Sequence, residues 1–535
     1  MSRRRSTMRR VGPDEVRFWR RPQWAKRLSR AAVAVALGCL ALPAWAGVGR
    51  RPARPHPSAE RPITLAEGRA ILSAWSEAGE FRAPSDLGTD LAGLASDHPG
   101  VRLAASAALA RAGIELAMLE RGGLADPERL DPNWDVAGAW AGRAAFERAR
   151  ARGDLTAFMA GLPRREGAYL ALLAQERRYT AIVTKGGWEK LDPKGHLALG
   201  DDGPAALALR VRLAAEGYLD PAKAASPDFD VELAEALADF EGHHDLSPDG
   251  EVSPAVLASL NISAAERLSA IRANLERDRW LPAHLPANRI EVDIPAARLT
   301  LFEGGRAVLV LPAAIGEGSH PTPLLVSEVR GVEFNPPWFV PADIAREEIL
   351  PLVRADPGWM TAHGFVFEHG RFVQRRGRQN ALGQVKFDMP DPEDILIHGM
   401  PSDEKSVFFE EARALSHGCV RLVDPARLAS ALLAPKGWTQ EEVARAIGAG
   451  RTRQVALKTP VPVFLVYRTV VVGVDGQPIF RPDPYRWDAK LAAILSAPAA
   501  TAPRPRPGAR RSPLAPRRRR ERRSPWPNRR PQPSG

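Results

Sequence analysis

The hydrophobic period of the chain changes near residue 288. Upstream, apolar residues recur every three or four positions, as in "LAEGRAILSAWSEAG" and "VRLAASAALARAGIELAMLERG". From "NRIEVDIPAARLTLFEGGRAVLVLPAAIG" onwards they alternate in twos. A helix gathers positions three and four apart on one face, whereas a strand sends successive side chains to opposite faces. One layer cannot satisfy both patterns, so the sequence predicts a multidomain α+β chain with helices first and a mostly β part after them. At 535 residues it has room for roughly three or four domains.

The helical half divides further. Turn clusters such as "ADPERLDPNWD" and "KGGWEKLDPKG" punctuate a helical scaffold over 64–195. Residues 196–262 read as a compact unit of three helices, "GPAALALRVRLAAEGYL", "FDVELAEALADFEGHHDL" and the short one in "SPDGEVSPAVLASLN". His243 and His244 sit at the end of its second helix. Lacking a second ligand cluster, they read as solvated loop residues rather than a metal site, and neither a metal nor a cofactor is expected. A connecting helix, "AAERLSAIRANLERDRWLP", fills most of 263–287.

Residues 288–490 are expected to be mostly strands, with hairpin turns at "EGGR" and "VDGQ". Residues 336–380 break that pattern with the helical "PADIAREEILPLVRADPGWM" and the basic "RFVQRRGRQN". An insertion of this length in a β domain suggests a lid over a site.

Charge is concentrated at the ends. The formal net charge is +12, but residues 1–30 carry +9 and residues 504–535 carry +11, which leaves −8 between them. An acidic body argues against a nucleic-acid face. A basic stretch, the apolar "AAVAVALGCLAL" and the small residues of "PAWAG" predict a signal peptide over 1–46, cut after Ala46. "ALGC" is also a weak lipoprotein box on Cys39, with Ala36 where Leu is usual, and Met8 is an alternative start. A Pro/Arg linker over 47–63 follows. Residues 497–535 are too poor in apolar side chains to fold and form an Arg/Pro-rich tail. These features predict a periplasmic protein whose tail could meet an anionic envelope surface.

Cleavage after Ala46 would remove one of the two cysteines and leave Cys419, in "LSHGCVRL". A thiol attacks as its thiolate and needs a base or a positive field nearby. His417 precedes Cys419 by two positions, so both side chains can emerge on one side if the chain runs from a strand into a tight turn. Gly418 would let that turn tighten, and the N–H groups of Gly418 and Cys419 could face a carbonyl oxygen. Arg421 could bind a substrate carboxylate or fix the loop, and His398 ends the apolar strand "DILIH". Composition alone leaves a buried structural cysteine as a reading of equal standing.

The stretch "HGMPSDEKSVFFEEARALSHGCVR" resembles the signature of the L,D-transpeptidases of the YkuD fold: His-Gly, a spacer, then Ser/Thr-His-Gly-Cys, a hydrophobic residue and Asn or Arg. It maps onto His398, Gly399, Ser416, His417, Gly418, Cys419, Val420 and Arg421. "FNPPWFVPADIAREEILP", "NALGQVKFDMPDPEDILIHGMPS" and "FRPDPY" look like the large Gram-negative branch. Residues 196–262, with Leu207, Val211, Leu213, Gly217, Phe229, Ala236, Phe240, Leu246, Asp249, Gly250 and Leu260-Asn261, resemble a peptidoglycan-binding module. The spacer after His398 is slightly long, and Met400 stands where Thr is common.

The resemblance implies an acyl transfer on diaminopimelate-containing stem peptides. Cys419 would be the nucleophile and His417 the general base and acid. The backbone of Gly418 would serve the oxyanion hole, and the carbonyl of Ser416 would orient His417 without help from an acidic residue. A thioester formed with loss of D-Ala would give a 3→3 cross-link. His398, Gly399, Arg421, Arg376 and Arg378 would contact substrate, with Arg371 and Arg375 beside them on the lid, and carbapenems would acylate the thiol. Hydrolysis of the same stems, as in an L,D-carboxypeptidase, and a non-catalytic wall-binding protein are the alternatives. A papain-like arrangement is disfavoured because no histidine follows Cys419.

Overall fold

The computed structural model describes residues 61–79, 84–130, 134, 140–164, 166–192, 197–390, 395–401 and 414–496. The signal expected over 1–46, with Cys39, and the tail 497–535 lie outside the described residues.

The first helix, Leu65–Ala78, starts at a capping box in which Thr64 and Glu67 satisfy each other's backbone N–H groups, and it stops at Gly79, whose φ is 63°. It packs with Pro99–Gly122 and Trp140–Arg152 around Ile71, Trp75, Leu109, Leu116 and Phe146. Gly113 makes that packing possible, because a Cβ there would lie 2.4 Å from the Phe146 ring.

The second helical unit comprises Pro204–Glu216, Val231–Gly242 and Pro254–Leu260 around Leu209, Leu213, Phe229, Leu237, Phe240 and Leu260. Its charged face is buried rather than wet. Glu216 lies 2.8 Å from the Arg212 guanidinium and accepts a hydrogen bond from the Tyr179 hydroxyl at 2.6 Å. The expectation of two solvated histidines is corrected here. His244 is 7% exposed and stacks on Phe240 at 3.8 Å and Phe480 at 5.3 Å. His243 is half-buried against Asp475, 2.8 Å away. Phe480 and Asp475 belong to a hairpin more than 200 residues downstream, a contact no local pattern could reveal.

Helix Ala264–Trp280 leads into the strands. In chain order these are β1 (Arg289–Asp293), β2 (Arg298–Glu303), β3 (Arg306–Gly316), β4 (Leu325–Phe334), β5 (Trp338–Phe339), β6 (Phe365–Glu368) and β7 (Arg371–Gln374). Then come β8 (Val385–Asp388), β9 (Ile397–His398), β10 (Ala414–Ser416), β11 (Val420–Leu422), β12 (Arg453–Val466), β13 (Val470–Val472) and β14 (Pro478–Phe480). Nine of them form one sheet in the order β10-β3-β11-β9-β8-β4-β12-β1-β2, and a further β2–β3 pairing closes it on itself. Closure removes the exposed edges of an open sheet. The β2–β3 turn uses Gly304 and Gly305, both at positive φ, as a two-residue hairpin requires. The interior holds Val292, Leu299, Leu311, Val329, Phe387, Ile397, Val420 and Leu465. Helices Pro425–Leu433 and Gln440–Gly448 add Leu428, Leu432 and Val443.

The insertion between β4 and β8 carries its own three-stranded sheet, β5-β7-β6, and a small core of Val340, Ile349, Trp359 and Phe365. Two buried asparagines bracket it. The Asn335 amide donates to the carbonyls of Ala446 and Ile447 at 3.1 and 3.0 Å. That of Asn380 donates to the Gln374 and Arg375 carbonyls at 3.2 and 3.0 Å. Asn335 therefore ties the entry of the insertion to the helix end at Ala446–Ile447, and Asn380 ties its exit back to the end of its own β7.

Candidate active site

Cys419 lies in the turn between β10 and β11, two strands that both lean on the end of β3. Ser416 is in parallel register with Gly316, and Arg421 in antiparallel register with Ala314. The reversal occurs at Gly418, whose φ is 101°. A side chain there would be strained, and its Cβ would sit 3.0 Å from Ile395. The buried Ser416 hydroxyl donates to the Cys419 carbonyl at 2.5 Å, clamping the turn from inside.

A second brace comes from Thr322, which the sequence pattern did not single out, and from Tyr485 at the end of "FRPDPY". The Thr322 hydroxyl donates to the Gly418 carbonyl and accepts from the Gly316 N–H, both at 2.8 Å. The Tyr485 hydroxyl in turn accepts from the Thr322 N–H at 3.1 Å and donates to the Gly316 carbonyl at 2.7 Å. Thr322 is fully buried, so each group satisfies a neighbour that water cannot reach. Only assembled β3, β11 and C-terminal segments bring these residues together.

Cys419 is half-buried, and the Leu396 N–H points at its sulfur from 3.4 Å. A donor aimed at sulfur favours the thiolate. His417 is a quarter exposed, and its Nε2 lies 2.7 Å from the Glu348 carboxylate on the insertion. That hydrogen bond raises the imidazole pKa above its ordinary value. Glu348 and Glu317 add attraction, while partial burial and Arg421 oppose it. His320 brings a second imidazole to within 4.6 Å of the first. An acidic residue therefore contacts His417, which the sequence reading did not anticipate. The Ser416 carbonyl meanwhile accepts from the Glu317 N–H at 2.8 Å.

His398 is in parallel register with Arg421 on the neighbouring strand, so the two share a face with Cys419. It is buried, and its Nδ1 meets the Gly399 carbonyl at 2.5 Å. Burial, helped by Arg421, lowers its pKa to about 3, which keeps the ring neutral at ordinary pH. His398, expected to contact substrate, is a desolvated imidazole packed beside the thiol turn. Gly399 lies next to Gly383, where a Cβ would come within 2.6 Å of the Met400 nitrogen. Arg376 and Arg378 are exposed on the loop after β7, and among the described residues no contact joins either to the turn. Arg371 stacks over Phe339 at 4.2 Å and is committed to the insertion. Among the described residues no group of His, Cys, Asp and Glu is arranged to hold a metal.

Comparison with known families agrees with this architecture. Residues 287–463 match the YkuD L,D-transpeptidase catalytic domain, and residues 202–260 match the "Putative peptidoglycan binding domain" family. A curated "Putative L,D-transpeptidase" of Haemophilus influenzae is 32% identical over 238 residues, which are 41% of this chain and 48% of that protein. The chain thus spans about half the length of that relative. Among solved structures, an L,D-transpeptidase of Xylanimonas cellulosilytica is 17% identical, with 51% of this chain and 100% of that one covered at a TM-score of 0.17. L,D-transpeptidase 3 of Mycobacterium tuberculosis, solved with a faropenem-derived adduct, is 15% identical and covers 34% of this chain and 60% of its own, at a TM-score of 0.18.

Proposed function

We propose that this chain, which carries an L,D-transpeptidase catalytic domain beside a peptidoglycan-binding-type module, transfers acyl groups between stem peptides of peptidoglycan through Cys419. The observation that carries the reading is the braced Ser416–Cys419 turn, which presents a thiol with an amide donor at its sulfur and an imidazole tied to a carboxylate. Sγ of Cys419 attacks the carbonyl of the third-position diaminopimelate, the C–N bond to the terminal D-Ala breaks, and the thiol proton leaves on the departing amine. The side-chain amine of a second stem then displaces the thiol, giving a 3→3 link. Backbone N–H groups at Gly418 and Cys419 would hold the developing oxyanion. The insertion would exclude water, which otherwise intercepts the thioester.

Purified protein incubated with disaccharide tetrapeptide and followed by mass spectrometry tests this. Dimer with loss of D-Ala supports it. Tripeptide alone would favour the L,D-carboxypeptidase reading, and an unchanged substrate would leave a binding protein. Carbapenems would leave one adduct on the wild type and none on Cys419→Ala, seen by intact mass. The reading places the enzyme in the periplasm, exported by residues 1–46, with the Arg-rich tail meeting an anionic envelope surface. Salt-sensitive cosedimentation with anionic vesicles, lost on deleting 497–535, tests the tail.

A further inference from the structure

The segment "FRPDPY", which begins at the end of β14, has one end against the peptidoglycan-binding-type module and the other beneath the thiol turn. At the module end, Phe480 is buried, with its ring 5.3 Å from that of His244. The ring of Tyr179, on helix Gly167–Thr184, lies 5.9 Å away, and the Arg267 guanidinium stands 4.4 Å over Phe480. The Phe480 N–H donates to the His243 carbonyl at 2.7 Å. Beyond it, the Arg481 N–H donates to the Thr469 carbonyl at 2.8 Å, and its guanidinium meets Asp293 of β1 at 2.5 Å. Pro482 and Pro484 each lock a backbone torsion, which leaves little slack between the two ends. Asp483 accepts from the Tyr467 hydroxyl and from the N–H groups of Trp487 and Asp488, both at 2.9 Å. The Tyr467 hydroxyl accepts in turn from the Tyr485 N–H at 3.0 Å.

At the other end, the Tyr485 hydroxyl bridges the Thr322 N–H and the Gly316 carbonyl, and the Thr322 hydroxyl holds the Gly418 carbonyl. Burial pushes the Tyr485 hydroxyl up to about 12, so it stays a donor. Gly418 lies between strands β10 and β11, and this brace meets its carbonyl from outside the sheet ladder. No peptide among the described residues is cis. Pinning the Gly418 carbonyl therefore also fixes the direction of the Cys419 N–H, on the opposite edge of the same planar group.

We propose that Tyr485 is a positioning residue for the thiol turn, and that Phe480–Tyr485 makes its placement depend on the docked module; this rests on the acyl-transfer reading above. The coupling is carried by a contiguous set of ring contacts and hydrogen bonds from His243 and His244 to Gly418. With the module seated on the β13–β14 hairpin, the segment is held at both ends, and the Cys419 N–H is aimed for the oxyanion of the acyl group. With the module displaced, Phe480 loses its packing and the brace loosens. Wall binding by the module and reaction at Cys419 then belong to one assembly.

The test uses the full-length chain carrying Tyr485→Phe, Phe480→Ala or both, each confirmed folded by its thermal melt, with Phe480→Leu in place of an alanine variant that does not fold. Tyr485→Phe keeps the ring against Tyr467 and Trp487 and removes only the hydroxyl. Hydrogen exchange read by mass spectrometry should show lower protection of 414–422 in both single variants, although neither residue lies in that segment. Acylation of Cys419 by a carbapenem, timed by intact mass, should slow about tenfold in Tyr485→Phe, as expected for one lost buried bond. It should slow severalfold in Phe480→Ala, and cross-linking should lose kcat with a smaller change in KM. Because both residues act through one segment, the double variant should lose less than the product of the single losses. A lowered melt with wild-type exchange over 414–422, or with a wild-type acylation rate, would make Tyr485 a residue of the fold alone and overturn the assignment. Losses that multiply would overturn the dependence on the module. If wild type makes no cross-links and takes up no carbapenem, the acyl-transfer reading fails, while hydrogen exchange still decides the coupling.

Discussion

Two histidines of this molecule face carboxylates, and their pKa values are shifted in opposite directions. At the thiol turn, His417 lies 2.7 Å from Glu348, a quarter exposed, and its pKa is raised. At the junction between the helical module and the β13–β14 hairpin, His244 lies 3.9 Å from Glu216 and is almost wholly buried. There burial dominates, the Arg267 guanidinium adds repulsion, and the pKa falls to about 3 despite the carboxylate. A hydrogen bond in a part-solvated cleft keeps a proton available. A longer contact in a dry cluster already holding Arg212 and Arg267 does not. The first histidine can do proton chemistry near neutrality, and the second is a flat aromatic spacer between Phe240 and Phe480.

The comparison breaks most sharply at the thiol. Cys419→Ala removes the proposed nucleophile with little change of volume, so D-Ala release and cross-linking should vanish while the melting temperature stays close to wild type. Turnover above a few per cent would place the nucleophile elsewhere. His417→Ala should cost about a hundredfold or more, because a positioned acid and base contributes on that order. Its defect should shrink as pH rises and the thiol ionises without help. A defect of constant size across pH would make His417 structural, like His244.

A middle case lies beneath the turn. Thr322→Val keeps the shape but leaves the Gly418 carbonyl and the Gly316 N–H without their shared buried partner. Each orphaned group costs about 1–3 kcal/mol, so the denaturation midpoint should drop and kcat/KM should fall severalfold as the turn loosens. Unchanged activity with lowered stability would show that the brace serves the fold alone.

How far the sequence foretold this site depends on the range of each interaction. The period change near residue 288, the glycine hairpin at Gly304-Gly305 and the Ser416–Arg421 motif are local, and reading them required only neighbours along the chain. The insertion was legible because the helical "PADIAREEILPLVRADPGWM" and the basic "RFVQRRGRQN" interrupt the alternation. Thr322 carried no such mark, and Glu348 and Tyr485, though inside "FNPPWFVPADIAREEILP" and "FRPDPY", gave no sign of what they touch until β3, β11 and the insertion are assembled. His244 was misread for the same reason, since the face of Phe480 that buries it arrives from the far end of the chain. A run of Arg375, Arg376 and Arg378 suggests a substrate grip, and these side chains are exposed on the loop after β7.

The smallest expected effect sharpens the contrast through acid stability. A buried neutral histidine whose folded pKa lies near 3 must be protonated on unfolding below about pH 6.5. Its contribution to stability is complete above that pH. It is lost as pH falls toward 3, at up to about 1.4 kcal/mol per unit. His398 behaves in the same direction and adds its own share. His417 has the opposite sign, because its raised folded pKa gives stability that is present below about 6.5 and fades as pH rises through the folded value. His244→Phe keeps a flat ring between Phe240 and Phe480 but removes the titrating group, together with the bond from Nδ1 to the Phe240 carbonyl at 2.6 Å. Losing that bond should cost about 1 kcal/mol at pH 7 without touching turnover. Chemical denaturation at pH 7, 6 and 5 should then show the variant losing stability less steeply than wild type, by up to about 1.4 kcal/mol per unit over the acid part of that range. Parallel slopes for the two proteins would mean that His244 is protonated in the native state, and the contrast with His417 would fall.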